Sequence, residues 1–530
     1  MASFEKMSSS KVLIIGAGFS GLATACQLRR ELNCDDYIIY DRSSAPGGTW
    51  WANRWCAVDI PAVFYSLSFA PNPDFSKVYP PQAEILEYFN KVADKYDVSR
   101  HIVQNTEWEG AYWQDLTSSW VVKLKNLTTG QTFYHDCKIL ISAVGALVNP
   151  NRFGVPGVED FKGDIVHTAA WKEDMSLHQK DAIVVGNGCS AAQLIPAIAK
   201  EARSITQFIR TPQFYLQNEN RQIDDNWKFV FRYVPGALRL VRLAVFLYLE
   251  STAVRFSINP HGNKARNISS ERSKSYIQSN APGEFHPRRL ICRRIFDNNK
   301  YISCLQASNV HLTDDPIVEI STHSIFTKSG QEYPADAILL ATGFALTQYD
   351  VELVGRNGQT RNEHWDNFGY KEAYKSTAMS GFPNFFYVLG PNSGKGHTST
   401  IYSIENYVNL IMKVIAPVIQ DRCSFVEVKP ESEKDYNVNL HEEIAMTIFN
   451  NSCGSVSRSI PYSSCWDCIC LIHSSQYFID YKTKKNWFIY PWNSFVMWYS
   501  THWGNLDDWT YDVRWLMKLL VDEPKRLTHE

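Results

Sequence analysis

Two glycine-rich loops, each lying between an apolar strand and a helix, constrain the fold of this chain more than any other feature. The first loop, Gly16-Ala17-Gly18-Phe19-Ser20-Gly21, follows the apolar run Lys11–Ile15 and precedes a helical spacing of apolar residues. In such a Gly-x-Gly-x-x-Gly loop the first glycine permits a tight turn, the second lets backbone approach a pyrophosphate, and the third lets helix and strand pack closely. Gly16, Gly18 and Gly21 are therefore predicted to bind a dinucleotide at the positive end of the helix.

The next strand ends on an acidic residue. Tyr37–Tyr40 forms this strand, and Asp41 follows it at about twenty residues from the loop. A carboxylate at that position accepts a hydrogen bond from a ribose 2′-hydroxyl. Asp41 therefore indicates a dinucleotide without a 2′-phosphate, which we interpret as FAD.

A second unit of the same design follows later in the chain. The strand Ala182–Val185 precedes Gly186-Asn187-Gly188-Cys189-Ser190-Ala191 and a helix, and the following strand Ile205–Ile209 ends on Arg210. A cation at the end of that strand suits a 2′-phosphate, so this unit is predicted to bind NADPH through Gly186, Gly188, Ser190, Arg210 and Thr211. The alternative is that Arg210 is an ordinary surface arginine.

These patterns predict an α/β fold with two Rossmann-like dinucleotide-binding domains and a helical insertion. Between Asn218 and about Pro287 the pattern is aromatic, basic and mostly helical, which predicts an insertion that interrupts the second domain. The expected division is 1–150 and 376–530 for the FAD-binding domain, 151–217 and 306–375 for the NADPH-binding domain, and 218–305 for the insertion.

Composition narrows the function to small-molecule chemistry. A formal net charge of −2 over 530 residues provides no electrostatic footprint for nucleic acid. The run Leu238–Leu249 is interrupted by arginines and too short to span a bilayer, so we expect no integral membrane span and a buried or interfacial helix, with the core position favoured. Met1–Ser10 lacks the features of a signal peptide, which leads us to expect a cytoplasmic protein.

The cysteines indicate neither a disulfide framework nor a metal site. The chain has 12 cysteines without regular spacing. Cys465, Cys468 and Cys470 form the tightest cluster, but no second cluster or histidine pair completes a zinc site. We therefore expect no metal. Disulfide reductases share the two-dinucleotide fold, but no CxxC lies near the glycine loops.

Two further motifs resemble those of flavoprotein monooxygenases. The first is Gly47-Gly48-Thr49-Trp50, and the second is the segment 161–171, whose Phe161, Gly163, His167 and Trp171 match the Baeyer–Villiger fingerprint FxGxxxHxxxW. Flavin-containing monooxygenases, which are related, carry Tyr in place of this Trp. The resemblance spans nearly the whole chain and implies FAD and NADPH as cofactors, with Thr49 and Trp50 at the flavin.

The resemblance also implies the catalytic residues and the reaction. Arg293 matches the arginine that such enzymes place beside the flavin, where a fixed cation favours an anionic oxidant that attacks a ketone. Arg294 is the alternative by a one-residue slip. Asp59 matches the aspartate that binds the cofactor region and pairs with this arginine. The implied partners are O₂ and a lipophilic small molecule, for which residues 218–287 could form an apolar pocket, as in fungal members of secondary metabolism.

Three departures from the family pattern keep other functions open. Lys172 replaces the usual Pro or Asp after the Trp, the segment before Asp59 is two residues short, and Cys292 replaces a common lysine. The first two favour N- or S-oxygenation or hydroxylation as an alternative. A catalytically weakened flavin-binding protein that acts through partners is the third reading.

Overall fold

The computed structural model describes residues 8–172, 174–210, 213–281, 294–297, 300–345, 349–449, 483 and 485–512. Outside the described residues lie Thr211, Cys292, Arg293 and the cysteine cluster Cys465, Cys468 and Cys470, where the sequence predicts no metal.

The strands of the described residues are numbered β1 to β22 in chain order. They are β1 Ser8–Ile15, β2 Tyr37–Tyr40, β3 Ile102–Val103, β4 Thr106–Gln114, β5 Ser119–Asn126, β6 Thr132–Ser142, β7 Asn149–Pro150, β8 Asp164–His167, β9 Asp181–Val185, β10 Ser204–Phe208, β11 Phe214–Gln217, β12 Arg294–Asp297, β13 Val310–Thr313, β14 Ile317–Ile320, β15 Ser324–Thr327, β16 Glu332–Pro334, β17 Ala337–Leu340, β18 Phe344–Ala345, β19 Glu352–Val354, β20 Phe385–Tyr387, β21 Val426–Val428 and β22 Trp509–Tyr511.

The α-helices of the described residues are numbered α1 to α12. They are α1 Phe19–Leu32, α2 Thr49–Ala52, α3 Gln82–Lys95, α4 Cys189–Ile198, α5 Asp225–Tyr233, α6 Ala237–Ser251, α7 Pro260–Asn280, α8 Tyr301–Cys304, α9 Arg361–Phe368, α10 Thr400–Ile419, α11 Pro430–Ala445 and α12 Ser494–His502.

The larger sheet has eight strands in the order β19-β4-β5-β6-β1-β2-β3, with β20 also paired to β6. β1 pairs in parallel with both β2 and β6. Its side chains alternate between two cores, because Val12 and Ile14 pack under α1 and α10 while Leu13 and Ile15 face the opposite side. The first glycine loop therefore lies at the carboxyl edge of a sheet that is buried on both faces.

The smaller sheet is parallel throughout, in the order β13-β10-β9-β17-β8. α4 packs on one face through Leu194 and Ile195, and the antiparallel strands β14-β15-β16 lie by the other face. β7 and β18, which lie in the two crossings between the sheets, pair with each other. The predicted α/β class with two Rossmann-like units is confirmed.

The strand pairing shows where the chain passes between the two sheets. After β18 it returns to the larger sheet with β19, whereas the sequence placed the return at residue 376. Between β11 and β12, which pair in parallel, the described residues are helical and contain α5, α6 and α7. The division into domains at the predicted boundaries stays a proposal.

Helix α6 differs from the expected core helix. Leu238, Phe246 and Leu249 are buried, but Leu240 and Leu247 are exposed. The helix carries leucines on both faces, so the sequence alone does not show which face packs. None of the helices among the described residues is long and apolar enough to cross a membrane.

A buried carboxyl group lies apart from the glycine loops. Glu372 is fully buried, and burial, reinforced by the nearby Glu433 carboxylate, raises its pKa to about 9. Glu433 itself accepts from the backbone N–H and the hydroxyl of Ser380 and contacts the His364 ring at 3.1 Å. Glu372 is therefore expected to retain its proton at neutral pH.

Glu372→Gln should make the protein less sensitive to alkaline pH. Because the folded state holds this proton more tightly than the unfolded state, wild-type stability is fully present below the ordinary carboxyl pKa and falls as pH rises toward about 9. Thermal unfolding at pH 5 and pH 9 checks the prediction: the variant should melt higher than wild type at pH 9 only. Parallel declines of both proteins would contradict it.

Candidate active site

The first glycine loop has the backbone geometry that the sequence predicts. Gly16 has a φ of +110°, a conformation that favours glycine. A Cβ at Gly21 would lie 2.0 Å from the Gly16 carbonyl oxygen, so only glycine lets α1 approach the turn. Gly18 is the N-cap of α1, so the first N–H groups of the helix open at this loop.

Asp41 lies at the edge of the same loop and is buried. Its Oδ2 accepts from the Ala17 N–H at 2.6 Å, and its Oδ1 accepts from the Ser43 N–H at 2.7 Å. Each carboxylate oxygen has a second lone pair, so the group retains capacity for a ribose hydroxyl. The structure thus brings Asp41 to the phosphate loop, as the strand-end position requires.

The Gly47–Trp50 motif lies directly on the first loop. Gly47 donates its N–H to the Ala17 carbonyl at 2.9 Å. Gly48 has a φ of +55°, and a Cβ there would lie 2.9 Å from the Gly18 Cα. Thr49 begins the short helix α2, and Trp50 is buried with its ring edge-on to Tyr65 at 5.6 Å.

The second glycine loop repeats this arrangement on the smaller sheet. Gly186 has a φ of +115°, and a Cβ there would lie 2.5 Å from the Ala341 carbonyl oxygen. Gly188 is the N-cap of α4, and Ser190 lies in the first turn of that helix. The predicted residues Gly186, Gly188 and Ser190 therefore meet at one helix N-terminus.

Two buried side chains that the sequence analysis missed hold this second loop. Gln207 donates to the Gly186 carbonyl at 2.8 Å and accepts from the Tyr301 hydroxyl at 2.8 Å. Tyr215 donates its hydroxyl to the Asn187 carbonyl at 3.0 Å. A glutamine within the apolar strand β10 was the signal that could have identified the first of them.

Both loops leave room where a phosphate has to lie. A Cβ at Gly18 would meet only the Gly48 Cα at 3.6 Å, and a Cβ at Gly188 would meet nothing within 4 Å. Each open space borders the N–H groups of a helix N-terminus, which carries partial positive charge. The residues present therefore fit two pyrophosphate groups.

The residues at the strand ends differ between the two loops. Arg210 lies one residue after the position that is equivalent to Asp41. Gly16 donates its N–H to Tyr40 and Gly186 donates to Phe208, so the position equivalent to Asp41 is Ile209. Arg210 lies one residue further and is exposed. An acid that would repel a 2′-phosphate is thus absent from the described strand end, and the arginine beside it fits such a phosphate.

Arg210→Ala should weaken the use of NADPH and leave the use of NADH almost unchanged. Loss of a charge-assisted contact to the 2′-phosphate should raise the KM for NADPH by about 10-fold or more. Steady-state kinetics with both coenzymes test this prediction, and NADH is the internal control. An equal loss with both coenzymes would assign Arg210 a general structural role.

Asp59 lies in an exposed bend between the two loops. Burial raises the pKa of the neighbouring Cys56 thiol to about 12, and Cys189 and Asp59 contribute smaller increases. Cys56 therefore lies near Cys189, which begins α4 at the second loop. The segment that contains Cys56 starts with α2, which lies on the first loop. Cys56 and α2 thus link the two loops, and the role of Asp59 at the cofactors stays a prediction.

The structure describes only the backbone strand that follows the predicted catalytic arginine. Arg294 begins β12 and pairs with Phe214 of β11. At the end of this strand, the buried Asp297 accepts from the backbone N–H groups of Lys300, Tyr301 and Ile302. The pairing of Arg293 with Asp59 stays a prediction.

The linker fingerprint joins the two sheets. The Nε2 of His167 donates to the Gly343 carbonyl at 3.1 Å, and its Nδ1 accepts from the Ala169 N–H at 3.2 Å. Burial lowers the pKa of this ring, and the acceptor role of Nδ1 requires the neutral form. Trp171 packs edge-on against Trp55 at 5.5 Å. Both ring nitrogens of His167 are thus used for structure, in line with a coupling role.

Two dinucleotide loops on two sheets, joined by paired crossings, define a protein of the two-dinucleotide-binding class. Comparison with known proteins specifies the family. Residues 10–228 match the family model described as pyridine nucleotide-disulphide oxidoreductase. A Baeyer–Villiger monooxygenase of Pseudomonas aeruginosa is 30% identical over 450 residues, which cover 83% of each chain.

A second relative and a solved structure to which the chain is similar are also named as monooxygenases. The FAD-binding monooxygenase ktnD of Aspergillus niger is 30% identical over 83% of this chain and 74% of its own. The structure of cyclohexanone monooxygenase from Rhodococcus sp. Phi1 bound to NADP+ has a TM-score of 0.79 at 24% identity, over 96% of this chain and 100% of that one.

The chain belongs to the Baeyer–Villiger monooxygenase family. It is an FAD- and NADPH-dependent monooxygenase, as the sequence predicts.

Proposed function

We propose that this enzyme inserts one oxygen atom of O₂ beside the carbonyl of a lipophilic ketone and so forms an ester or lactone. The balanced reaction consumes ketone, O₂, NADPH and a proton and yields ester, NADP⁺ and water. The observation that carries the proposal is the contact of Trp171 with Trp55, because it joins the Baeyer–Villiger fingerprint to the segment that leads to Asp59.

A bound flavin would supply the redox chemistry for oxygen transfer, with NADPH as its reductant. The residues of the chain bind, orient and tune it. The two helix N-termini hold the pyrophosphates, and Asp41 selects the unphosphorylated ribose. Arg293 provides a fixed cation that favours the anionic oxidant, and Asp59 orients that arginine.

The substrate is proposed to be lipophilic and to bind beside the helical insertion. Tyr215 of β11 and Tyr276 of α7 are buried in one cluster, and Tyr215 contacts the second loop, which supports a position of the insertion beside the NADPH site. A cytoplasmic location is proposed with it, because the described cysteines Cys26, Cys34, Cys137 and Cys423 are buried free thiols.

Arg293→Ala should keep FAD and flavin reduction by NADPH but lose lactone formation by roughly 10²-fold, the scale of removing one preorganised charge. Purified protein is assayed with cyclohexanone for the lactone and with a thioether for the sulfoxide. Arg294→Ala is the matched control for the one-residue slip.

The outcomes of this assay separate the alternatives. A larger defect in Arg294→Ala would move the role to that residue. Lactone formation at wild-type rates in both variants would refute the arginine mechanism. Sulfoxide without lactone from wild type would favour N- or S-oxygenation, and absence of NADPH oxidation would favour a weakened flavin-binding protein.

A further inference from the structure

An apolar surface faces solvent on the helical insertion. Leu240, Leu243, Leu247 and Tyr248 of α6 are 68%, 50%, 48% and 68% exposed. Their spacing of three and four residues places them on one face of the helix, opposite the buried Phe246 and Leu249. A packed helix normally exposes polar residues on that face, so this one presents a second apolar face to solvent.

Helix α12 extends the same surface from the end of the described chain. Phe495, Trp498, Tyr499 and Trp503 are 48%, 40%, 65% and 59% exposed. The two helices are in contact, because the Phe246 and Phe495 rings meet edge-on at 4.9 Å. A second link is the bond from the Ser494 N–H to the Glu250 carboxylate at 2.9 Å. We name these exposed residues of α6 and α12 the apolar face.

A cavity of about 580 Å³ opens within the apolar face. Its apolar lining includes the exposed Leu243, Phe495 and Trp498 and the buried Phe64 and Phe246, and the charged side chains Arg30, Glu31, Arg242 and Glu405 also line it. It also borders Arg30 in the last turn of α1, roughly 18 Å along that helix from the phosphate loop at Gly18. The cavity is therefore separate from the first dinucleotide loop, and its volume lies within the usual range for a ligand.

Charge identifies the kind of surface that would cover the apolar face. From Asp224 to Glu250 the chain has four basic residues, Lys228, Arg232, Arg239 and Arg242, and three acidic ones at its two ends. Lys228 pairs with Asp225, and Arg232 pairs with Asp74. Arg242 is turned inward and donates to Ser66 at 2.7 Å, so Arg239 is the exposed cation beside the leucines of α6. Leucines and amphipathic aromatic rings beside a cation are the composition of a helix that lies in the headgroup region of a bilayer.

We propose that the apolar face docks on an anionic membrane surface, with Leu240, Leu243 and Leu247 inserted between the lipids. Tyr248, Tyr499 and Trp503 lie at the headgroup level, where rings with a polar edge are favoured. Arg239 contacts the lipid phosphates. The docking is independent of the reaction assigned above and would give the enzyme access to substrates dissolved in lipid.

Vesicle co-sedimentation of the FAD-loaded full chain tests the proposal. Wild type should sediment with vesicles of phosphatidylcholine and phosphatidylserine, and less with phosphatidylcholine alone or at high salt. Leu240→Asp combined with Leu247→Asp should lower the binding constant by about 10-fold or more, because two inserted leucines are replaced by charges. NADPH oxidation by this variant should stay at the wild-type level, which shows that it is folded.

Leu116→Asp combined with Leu127→Asp is the matched control, since these leucines are also exposed but lie in the turns of the larger sheet. It should bind vesicles like wild type. Equal losses in both double variants would overturn the proposal, as would absence of wild-type binding. A wild-type dimer that the Leu240/Leu247 variant dissociates, without vesicle binding, would show that a second copy of the chain covers the face instead.

Discussion

Gly18→Val is expected to give a folded but colourless protein. Gly18 has a φ of −86°, which any residue adopts, and its Cβ would meet the Gly48 Cα at an ordinary 3.6 Å. The valine methyl groups would extend into the space at the N-terminus of α1 that the FAD pyrophosphate has to occupy. The variant should therefore lose the cofactor and not the fold, with flavin occupancy lowered about 10-fold or more.

The ratio of flavin to protein absorbance in purified protein measures this loss, and far-ultraviolet circular dichroism reports the fold. Gly154→Val is the matched control, because it has no positive φ and a Cβ there would meet nothing within 4 Å. It should remain yellow. If Gly18→Val retained one FAD per chain, the first loop would not be the flavin site.

Local pattern was sufficient for the elements that carry the two loops. Tyr37–Tyr40 forms the strand over the predicted residues, and the predicted strand Ala182–Val185 gains only Asp181. Each is a short apolar run bounded by a turn, so near-neighbour preferences determine it. The positive φ values of Gly16 and Gly186 follow from the same local signal.

Contacts between distant segments were not readable in this way. Gln207 on β10 bonds to Gly186 at the end of the neighbouring strand β9. Tyr215 on β11 bonds to Asn187 from outside the second βαβ unit. Ile209 takes the place equivalent to Asp41 because the backbone bond from Gly186 to Phe208 sets the register. Such pairings depend on tertiary packing, which a single sequence does not encode in its spacing.

The same limit applies to helix α6 and to the catalytic pair. Leucine on both faces of α6 left its orientation open, and packing of Phe246 and Leu249 with Ile60 and Phe64 decides it. The roles of Arg293 and Asp59 come from the family resemblance, and they are tested by the kinetics of variants rather than by the fold.

Gly188→Val should separate NADPH binding from FAD binding, because its site is equivalent to Gly18 but lies on the smaller sheet. Gly188 has a φ of −76° and precedes α4, and a Cβ there meets nothing within 4 Å, so the protein should fold and stay yellow. The side chain would occupy the space for the NADPH pyrophosphate and remove its contacts with the N–H groups of α4.

Rapid-mixing kinetics of flavin reduction measure the effect of Gly188→Val. At limiting NADPH the reduction rate should fall by roughly 10²-fold, as expected when several charge-assisted phosphate contacts are lost together. Dithionite should still reduce the flavin at the wild-type rate, which shows that the flavin itself is intact. Reduction by NADPH at the wild-type rate would place the coenzyme elsewhere. Loss of FAD from Gly188→Val, in contrast, would mean that the two loops do not bind their cofactors independently.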